Sequence, residues 1–376
     1  MEKKEGLLNS VWIRFGLYVL ALLPLILMRA PTPTNEVKYL NIVDEALRDG
    51  HFWCMYLDGA VYADKPPLYF WILMFFRRLL GFHCMPLLVA FSLLPALAII
   101  LIFDKWCSDR LTGRWLIASE MALMTTAYFL GGALVLRMDM LMTLFITLAM
   151  WLFWRIYSEG CSTGRLVLFA LCVFMAIFSK GPVGIIFPLV TTVVFLVSVR
   201  KFRLFLKLWG WRTWLILLVL CSVWWIGAYL EGGKEYIDNL LFHQTLDRAV
   251  NAFHHKMPWY YYGYTLWYAM GPWSLLTMGM AVMALLRKIP SDDLATFMLT
   301  VFASFLVVMS CFSSKLAIYL LPGFGFANYA GYMLLQQADD GTRKWPSTLR
   351  TVTFCLSGLI FAAAFVAGIF FPDIIG

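Results

Sequence analysis

Apolar runs long enough to cross a membrane recur along almost the whole chain. A helix needs roughly 20 mostly apolar residues to span the hydrocarbon core of a bilayer. We find eleven such candidates in the 376 residues. They lie near positions 11–29, 86–103, 114–132, 138–157, 165–179, 182–199, 212–230, 266–286, 294–311, 316–335 and 351–371. Only 14% of the residues are charged, against roughly 25% in soluble domains. We therefore predict an all-α polytopic membrane protein with about eleven transmembrane helices.

The distribution of polar residues predicts one domain with a defined orientation. No long polar segment is present, so residues 1–376 are expected to form a single transmembrane domain with no C-terminal soluble domain. The first apolar run follows a basic start and lacks a small-x-small cleavage site, which favours an uncleaved first helix. Basic residues concentrate at the N-terminus and in the connections after the second, sixth, eighth and tenth spans. The positive-inside rule places these basic segments on the cytoplasmic side of the cell inner membrane. The C-terminus then lies on the outer side.

Charge and cysteine content exclude other classes. The net charge of +8 is explained by this topology, and no basic patch interleaved with exposed aromatics suggests nucleic-acid binding. The eight cysteines contain no C-x-x-C motif, which argues against a metal cluster or redox motif. The sequence leaves open whether Cys54 and Cys84 form a disulfide.

The outer face receives charges from five separate connections. Two are long, at residues 30–85 and 231–265, and three are very short. The short connections carry Arg137 with Asp139, Lys180 and Lys315. Isolated charges at helix ends are costly in a membrane unless they pair or face a cavity. Any one of them could be an interfacial anchor, but together they predict a shared site formed by the outer connections.

The first outer connection is predicted to contain two amphipathic helices. From Asn35, a helical period places Val37, Leu40, Val43 and Leu47 near one face, and Gly50 ends that helix. Asn35 is a candidate helix cap, and Glu36 lies in the first turn, where the helix dipole favours a carboxylate. Gly59 marks a turn, and residues 66–81 form an apolar helix, interrupted by two arginines, that we expect at the membrane surface.

The second outer connection contains histidines and aromatic residues. Its three histidines are His243, His254 and His255, and none forms an H-E-x-x-H zinc pair. The run Trp259–Tyr262 is explained either as an interfacial aromatic belt or as a surface that stacks on a sugar ring or lipid headgroup.

Six short motifs, in order, resemble a known family. The chain is similar to bacterial members of the protein O-mannosyltransferase superfamily, especially the 4-amino-4-deoxy-L-arabinose transferases of lipid A. The first outer loop of that family carries a D-E-x-R-Y-type and a Y-F-E-K-P-type motif, matched here by residues 35–39 and 62–66. The other matches are Asp139, the Ser179-Lys180-Gly181 step, the H…R…H-x-x-P-[FW]-Y-Y stretch over 243–261 and the K-L-x-x-Y-x-L-P step over 315–322. The resemblance covers roughly residues 10–335.

The resemblance implies a type-C glycosyltransferase fold and an inverting sugar transfer at the outer, periplasmic face. The donor would be a sugar linked to polyprenyl phosphate, and the acceptor a lipid such as lipid A, a glycan or a protein. Glu36, Asp139 and Asn35 are the predicted catalytic residues. The predicted substrate-binding residues are Lys38, Tyr39, Asp64, Lys65, Arg137, Lys180, His243, Arg248, His255, Tyr260, Lys315 and Tyr319. Partners would be this donor, the acceptor and membrane lipids, without nucleic acid.

The chemistry needs a carboxylate to accept the acceptor's proton and cations to stabilise the leaving phosphate. No D-x-D motif stands out, so no cofactor is required, and a divalent metal stays an open alternative. Asn35 occupies the position where the family has its first carboxylate, and an amide is no general base. Either Glu36 or Asp139 takes that role, the acceptor is itself an anion, or the chain is an inactive relative.

Two other functions stay open from the sequence. A lipid-linked sugar transporter or flippase would need a site near the midplane of the membrane. Glu120, inside the third span, is the one acid placed for that, and we expect it to pair or to reach the surface. A polymerase or ligase of outer-surface polysaccharide would share the donor side of the site and take a larger acceptor.

Overall fold

The computed structural model describes residues 10–240, 256–289, 291–339 and 345–370, and these ranges are predominantly helical. The first part of the chain forms α1 Val11–Met28, α2 Lys38–Asp49, α3 Leu68–Leu80, α4 Met85–Cys107, α5 Arg114–Met124, α6 Ala127–Leu134, α7 Asp139–Glu159 and α8 Thr163–Lys180. The rest forms α9 Val183–Ser198, α10 Phe202–Leu208, α11 Trp211–Asp238, α12 Tyr261–Ala269, α13 Ser274–Leu285, α14 Asp293–Cys311, α15 Leu321–Ala338 and α16 Trp345–Phe370. A π-helical turn, Pro33–Val37, precedes α2, and a 3-10 turn, Ala317–Leu320, precedes α15.

Every predicted span contains helix, but the count of eleven is not confirmed. In the described ranges, seven helices are long and apolar enough to cross a membrane, or eight if α5 and α6, bent by 64°, count as one span. α9 and α13 are apolar but shorter. The predicted span 266–286 is divided at Gly271-Pro272, where α12 has ended and α13 has not begun. The chain is a polytopic membrane protein whose spans are partly broken.

Connections that the sequence places on the cytoplasmic side meet at one end of the bundle. Arg110 lies 3.0 Å from the Asp292 carboxylate, which joins the loop after α4 to the start of α14. Gln336, at the end of α15, donates to the carbonyl of Arg110 at 2.8 Å. These contacts agree with the predicted grouping of the connections. Which side of the membrane this end faces stays a prediction.

The first outer connection folds into a small layer with its own core. Helices α2 and α3 pack against each other, and between them lies a hairpin of β1 Tyr56–Leu57 and β2 Ala60–Val61. As predicted, Gly50 ends α2 with a positive φ of 79° and Gly59 lies in the hairpin turn. The buried stripe of α2 differs from the predicted one and consists of Tyr39, Ile42, Val43, Glu45 and Ala46. The difference arises because α2 packs against α3 through the face of Tyr39, Ile42, Val43 and Ala46, which leaves Leu40 and Leu47 only partly buried.

This outer layer is fixed to the bundle through α11. The carboxylate of Glu231 accepts hydrogen bonds from the backbone N–H groups of Phe52, Trp53 and Cys54, at 2.9–3.1 Å. Tyr236 accepts another from the N–H of Met55 at 3.2 Å. Three successive amides that hold one carboxylate form an anion-binding turn, which here is satisfied within the protein. Both Cys54 and Cys84 are free thiols, so the disulfide considered from the sequence is not formed.

Helices α8 and α9 pack so closely that a methyl group at Gly184 has no room. A Cβ placed on Gly184 would lie 2.4 Å from the backbone of Ala176 and Ile177 in α8. We expect Gly184→Ala to lower the free energy of unfolding by about 1–3 kcal/mol, since backbone atoms cannot move aside as a side chain can. Thermal unfolding in detergent would measure this. Gly16→Ala, where no atom lies within 4 Å, is the control. Equal melting temperatures for the two variants would contradict the expectation.

Candidate active site

A cavity of about 480 Å³ opens where several helices end. It lies between the π-helical turn after α1, the helix α6 with the turn that follows it, the start of α12 and the segment before the 3-10 turn. Its lining consists of Asn35, Ala127, Tyr128, Gly131, Gly132, Val135, Arg137, Tyr261, Leu316, Ala317 and Ile318. The wall therefore combines apolar and aromatic groups with one amide and one guanidinium.

A buried ion cluster lies directly behind the guanidinium. Arg137 Nε lies 3.0 Å from Asp139 Oδ2, and Lys180 Nζ contacts the other oxygen, Asp139 Oδ1. The Asp139 side chain is only 3% exposed, and the Arg137 side chain is 21% exposed. The Asp139 carboxylate raises the pKa of the Arg137 guanidinium, which stays charged. Lys180 Nζ also lies 4.5 Å from the centre of the Tyr319 ring. The structure thus brings together Arg137, Asp139, Lys180 and Tyr319, four of the residues that the sequence analysis assigns to the site.

The neighbours Asn35 and Glu36 point to different environments. Asn35 is exposed and lines the cavity. Glu36 is fully buried, and its carboxylate accepts from the N–H of Thr32 at 2.7 Å and of Leu136 at 2.6 Å, and pairs with Arg29. The prediction that Asn35 caps the helix is wrong, because the π-helical turn begins two residues earlier and Asn35 makes no capping bond. In this conformation the Glu36 carboxylate does not line the cavity, so its predicted role as a catalytic base stays untested and loses geometric support.

The second motif of the first outer connection forms a chain of polar contacts. Tyr62 donates to Asp64 Oδ2 at 3.2 Å, and Lys65 Nζ lies 3.1 Å from the same oxygen. Lys38 Nζ sits 4.4 Å from the centre of the Tyr62 ring. These side chains are partly exposed on the outer layer, and none lines the cavity. Tyr39 is buried, and burial raises the pKa of its phenol, which remains a neutral hydrogen-bonding group.

The remaining predicted residues lie on the other side of the cavity or outside the described ranges. Lys315 is buried, and its ammonium donates to the carbonyl of Met257 at 3.1 Å and to that of Phe312. It holds two loops together and does not line the cavity. Tyr260 is 56% exposed beside the start of α12. His243, Arg248 and His255 lie outside the described residues.

Sequence reasoning missed several residues that form the cavity. Tyr128, Gly131 and Gly132 come from α6, an apolar helix without a motif. Tyr261 belongs to the aromatic run Trp259–Tyr262, in which the sequence analysis assigns the site role to its neighbour Tyr260. Arg29, the last residue of the first predicted span, supports the cavity wall from outside: it pairs with Glu36 and donates to the carbonyl of Leu134. Only Tyr261 carried a signal in the sequence.

The arrangement can bind an anion and hold it in place. Arginine and lysine supply charge-assisted hydrogen bonds to phosphate or carboxylate groups. Asp139 has a cation on each oxygen, which fixes the two cations and leaves the carboxylate with little freedom to accept a proton. Within the described ranges, no three His, Cys, Asp or Glu side chains are grouped to hold a metal ion. The prediction that no metal is required stays a prediction.

The chain is similar to known proteins in sequence and in fold. Residues 64–226 match the family model described as dolichyl-phosphate-mannose-protein mannosyltransferase. An uncharacterized protein of Aquifex aeolicus is 23% identical over 319 residues, which are 82% of this chain and 61% of that protein. The undecaprenyl phosphate-alpha-4-amino-4-deoxy-L-arabinose arabinosyl transferase 1 of Pseudomonas fluorescens is 23% identical over 300 residues, 77% of this chain and 51% of the enzyme.

A solved membrane protein has the same fold. The crystal structure of ArnT from Cupriavidus metallidurans bound to undecaprenyl phosphate matches 95% of this chain and 64% of that one, with a TM-score of 0.78 and 18% identity. The chain thus spans roughly half to two thirds of the length of the proteins that it matches. The predicted resemblance to the protein O-mannosyltransferase superfamily, and within it to the lipid A 4-amino-4-deoxy-L-arabinose transferases, is therefore confirmed, and the chain has the fold of these membrane glycosyltransferases.

Proposed function

We propose that this protein transfers a sugar, with inversion, from a polyprenyl-phosphate-linked donor to a lipid A-like acceptor. Transfer would take place at the outer, periplasmic face of the cell inner membrane, with the N-terminus in the cytoplasm. The observation that carries the proposal is the cavity whose polar groups are Asn35 and Arg137, backed by the Arg137–Asp139–Lys180 cluster. The likeness to transferases that use an undecaprenyl-phosphate-linked sugar supports this donor class.

The reaction follows from where charge develops. An acceptor oxygen forms a bond to the anomeric carbon while the bond from that carbon to the donor phosphate breaks. The electron pair of the broken bond leaves with polyprenyl phosphate, which gains negative charge. Fixed cations near that phosphate stabilise the transition state more than the ground state. Arg137, at the cavity wall, is our assignment for this role, and Lys180 supports it from behind.

The acceptor side of the site lacks an evident base in the described residues. Asn35 faces the cavity with an amide, Glu36 is buried with both oxygens bonded, and Asp139 is held by two cations. A phosphate on a lipid A-like acceptor is already ionised at neutral pH, so its attack requires no proton transfer to the protein. A phosphate nucleophile therefore suits this cavity better than a sugar hydroxyl. We assign Asn35 to orient the acceptor or the sugar.

The alternative functions have less support. A transporter would use a site inside the bundle, but Glu120, the acid that suggested one, is paired with Arg14 at 2.6 Å. The charged groups that face an open cavity lie instead at one end of the helices. The polysaccharide polymerase or ligase differs only in its acceptor. The relatives are named as 4-amino-4-deoxy-L-arabinose transferases, the group that the sequence resemblance links to lipid A, and the lipid acceptor is therefore our choice.

A reconstituted transfer assay tests the proposal. We expect purified protein in proteoliposomes to add one sugar residue to lipid A when supplied with undecaprenyl-phosphate 4-amino-4-deoxy-L-arabinose, as measured by mass spectrometry. Arg137→Ala should lower the rate by about 10²-fold, the loss typical of one donor to a developing negative charge. Arg77→Ala, on the outer layer with an exposed partner in Asp44, is the matched control and should keep the rate. Movement of labelled donor lipid across the bilayer without sugar transfer would instead establish the transporter.

A further inference from the structure

The carboxylate of Glu36 joins two segments that carry the polar groups of the cavity. One oxygen, Oε2, accepts from the N–H of Thr32 at 2.7 Å and pairs with Arg29. The other, Oε1, accepts from the N–H of Leu136 at 2.6 Å, one hundred residues further along the chain. The side chain is completely buried. Each oxygen is therefore already occupied by donors of the protein itself.

Arg29 makes the same connection from the other direction. One nitrogen of its guanidinium pairs with Glu36, and another donates to the carbonyl of Leu134. The turn after α6 is further held by Ser92, whose hydroxyl donates to the carbonyls of Val135 at 2.7 Å and Arg137 at 3.3 Å. The backbone of residues 134–137 is thus fixed by three side chains: Arg29, directly after α1, Ser92 of α4 and Glu36 of the π-helical turn.

The groups held in this way are immediate neighbours of the cavity lining. Asn35 directly precedes Glu36, and Arg137 directly follows Leu136. A movement of either segment would change the distance between the amide and the guanidinium across the cavity. Positioning of reacting groups contributes strongly to catalysis, and an error of about 1 Å can cost about 10²-fold in rate.

We propose that Arg29 and Glu36 form a positioning clamp that sets the separation of Asn35 and Arg137, without either residue contacting substrate. The proposal rests on the function proposed above. It differs from the sequence-based prediction of a catalytic carboxylate at Glu36, because a base must be within reach of the acceptor proton and must have a free oxygen to take it. A clamp needs burial and fixed partners, and Glu36 has both.

The two roles predict different kinetics for Glu36→Gln, Arg29→Met and the double variant. For a clamp, either single change should lower kcat/KM by about 10- to 100-fold, and the double variant should be no worse than the poorer single variant, since residues of one unit are not additive. The pH dependence of kcat should match that of the wild type in all three. Arg29→Lys keeps the positive charge but loses the planar guanidinium with its several N–H donors, so it should recover part of the lost kcat/KM.

A catalytic base would behave otherwise and would overturn the proposal. Glu36→Gln would then lose far more kcat than Arg29→Met, the two losses would multiply, and the acid limb of the pH profile would disappear. Asp44→Asn and Arg77→Met are the control variants. Asp44 and Arg77 form a partly exposed ion pair on the outer layer, and neither residue lines the cavity. Each of these changes should alter kcat/KM by less than about 2-fold.

Thermal unfolding of the same variants tests the clamp without an activity assay. The melting-temperature losses of Glu36→Gln and Arg29→Met should be strongly non-additive, whereas those of the Asp44 and Arg77 variants should be small. Additive losses for the clamp pair would overturn the proposal whatever the activity shows. If the wild-type protein transfers no sugar but this coupling is found, the proposed function fails and the Arg29–Glu36 connection stands as a structural feature of the fold.

Discussion

Asp139→Asn is expected to lower the rate of sugar transfer by about 10³-fold or more, the largest effect of any single change at the site. Its carboxylate is the shared partner of Arg137 and Lys180, and it is almost completely buried. Loss of the negative charge leaves two cations close together in a poorly solvated place, so both would move apart or lose their orientation. Removing a charge partner that holds several groups therefore costs more than removing one of the donors.

The measurement is the same transfer assay, run beside thermal unfolding to separate lost activity from lost folding. Asp44→Asn is the matched control: this carboxylate of the outer layer also pairs with a cation, Arg77, but it is 46% exposed and does not line the cavity. It should keep the rate within about 2-fold. A folded Asp139→Asn protein with a rate close to that of the wild type would show that the ion cluster has no part in the reaction.

The sequence predicted the class of fold, and it marked Asp139 and Lys180 as charges that must pair or face a cavity, because both inferences depend on strong local signals. Long apolar runs specify membrane helices whatever their partners are. Isolated charges at helix ends, such as Lys180 and Asp139, had to be paired, and the structure pairs them. Glu120 followed the same rule and is paired with Arg14. In each case a charged side chain in or beside a membrane helix requires a partner or a cavity, so that one residue predicts a polar neighbour.

The missed features depend on tertiary geometry that no single stretch encodes. Asn35 and Glu36 lie in a π-helical turn, Pro33–Val37, and not in the first turn of α2, so their environments differ from those expected in a regular helix. The partners of Glu36 include an amide at Leu136, and nothing in the local sequence marks that residue. The bend between α5 and α6 leaves the glycines of α6 at the cavity wall. These arrangements arise from packing between distant segments.

The environments of Asn35 and Glu36 explain why a carboxylate within a sequence motif is weak evidence for a catalytic base. Residues 35 and 36 are adjacent, yet one lines the cavity and the other is buried with both carboxylate oxygens hydrogen-bonded. The Asn35 amide lines the cavity that substrate would enter, whereas the Glu36 carboxylate is buried and holds protein segments together. The chemistry proposed here therefore assigns the cations to the leaving phosphate and leaves activation of the nucleophile to the ionised acceptor.

A second buried charge cluster lies inside the bundle, away from the cavity. Arg14 of α1 lies 2.6 Å from the Glu120 carboxylate of α5 and 3.6 Å from the Asp104 carboxylate of α4. Tyr329 of α15 donates to Asp104 at 2.6 Å. All four side chains are buried. One guanidinium thus connects α1 to two helices of the core, although most of the α1 surface is not covered by the rest of the protein.

Arg14→Met is expected to lower the free energy of unfolding by about 3–5 kcal/mol, because it leaves two carboxylates buried without their cation. Unfolding in detergent measures the change. Arg155→Met is the control: its partner Glu159 is 45% exposed, so the loss of stability should be small. The double variant Arg14→Met/Glu120→Leu should regain much of the stability, since removal of both charges of a buried pair is often neutral, while Asp104 keeps its bond to Tyr329. If Arg14→Met were as mild as Arg155→Met, the cluster would contribute nothing to the attachment of α1, and α1 would be held by apolar packing alone.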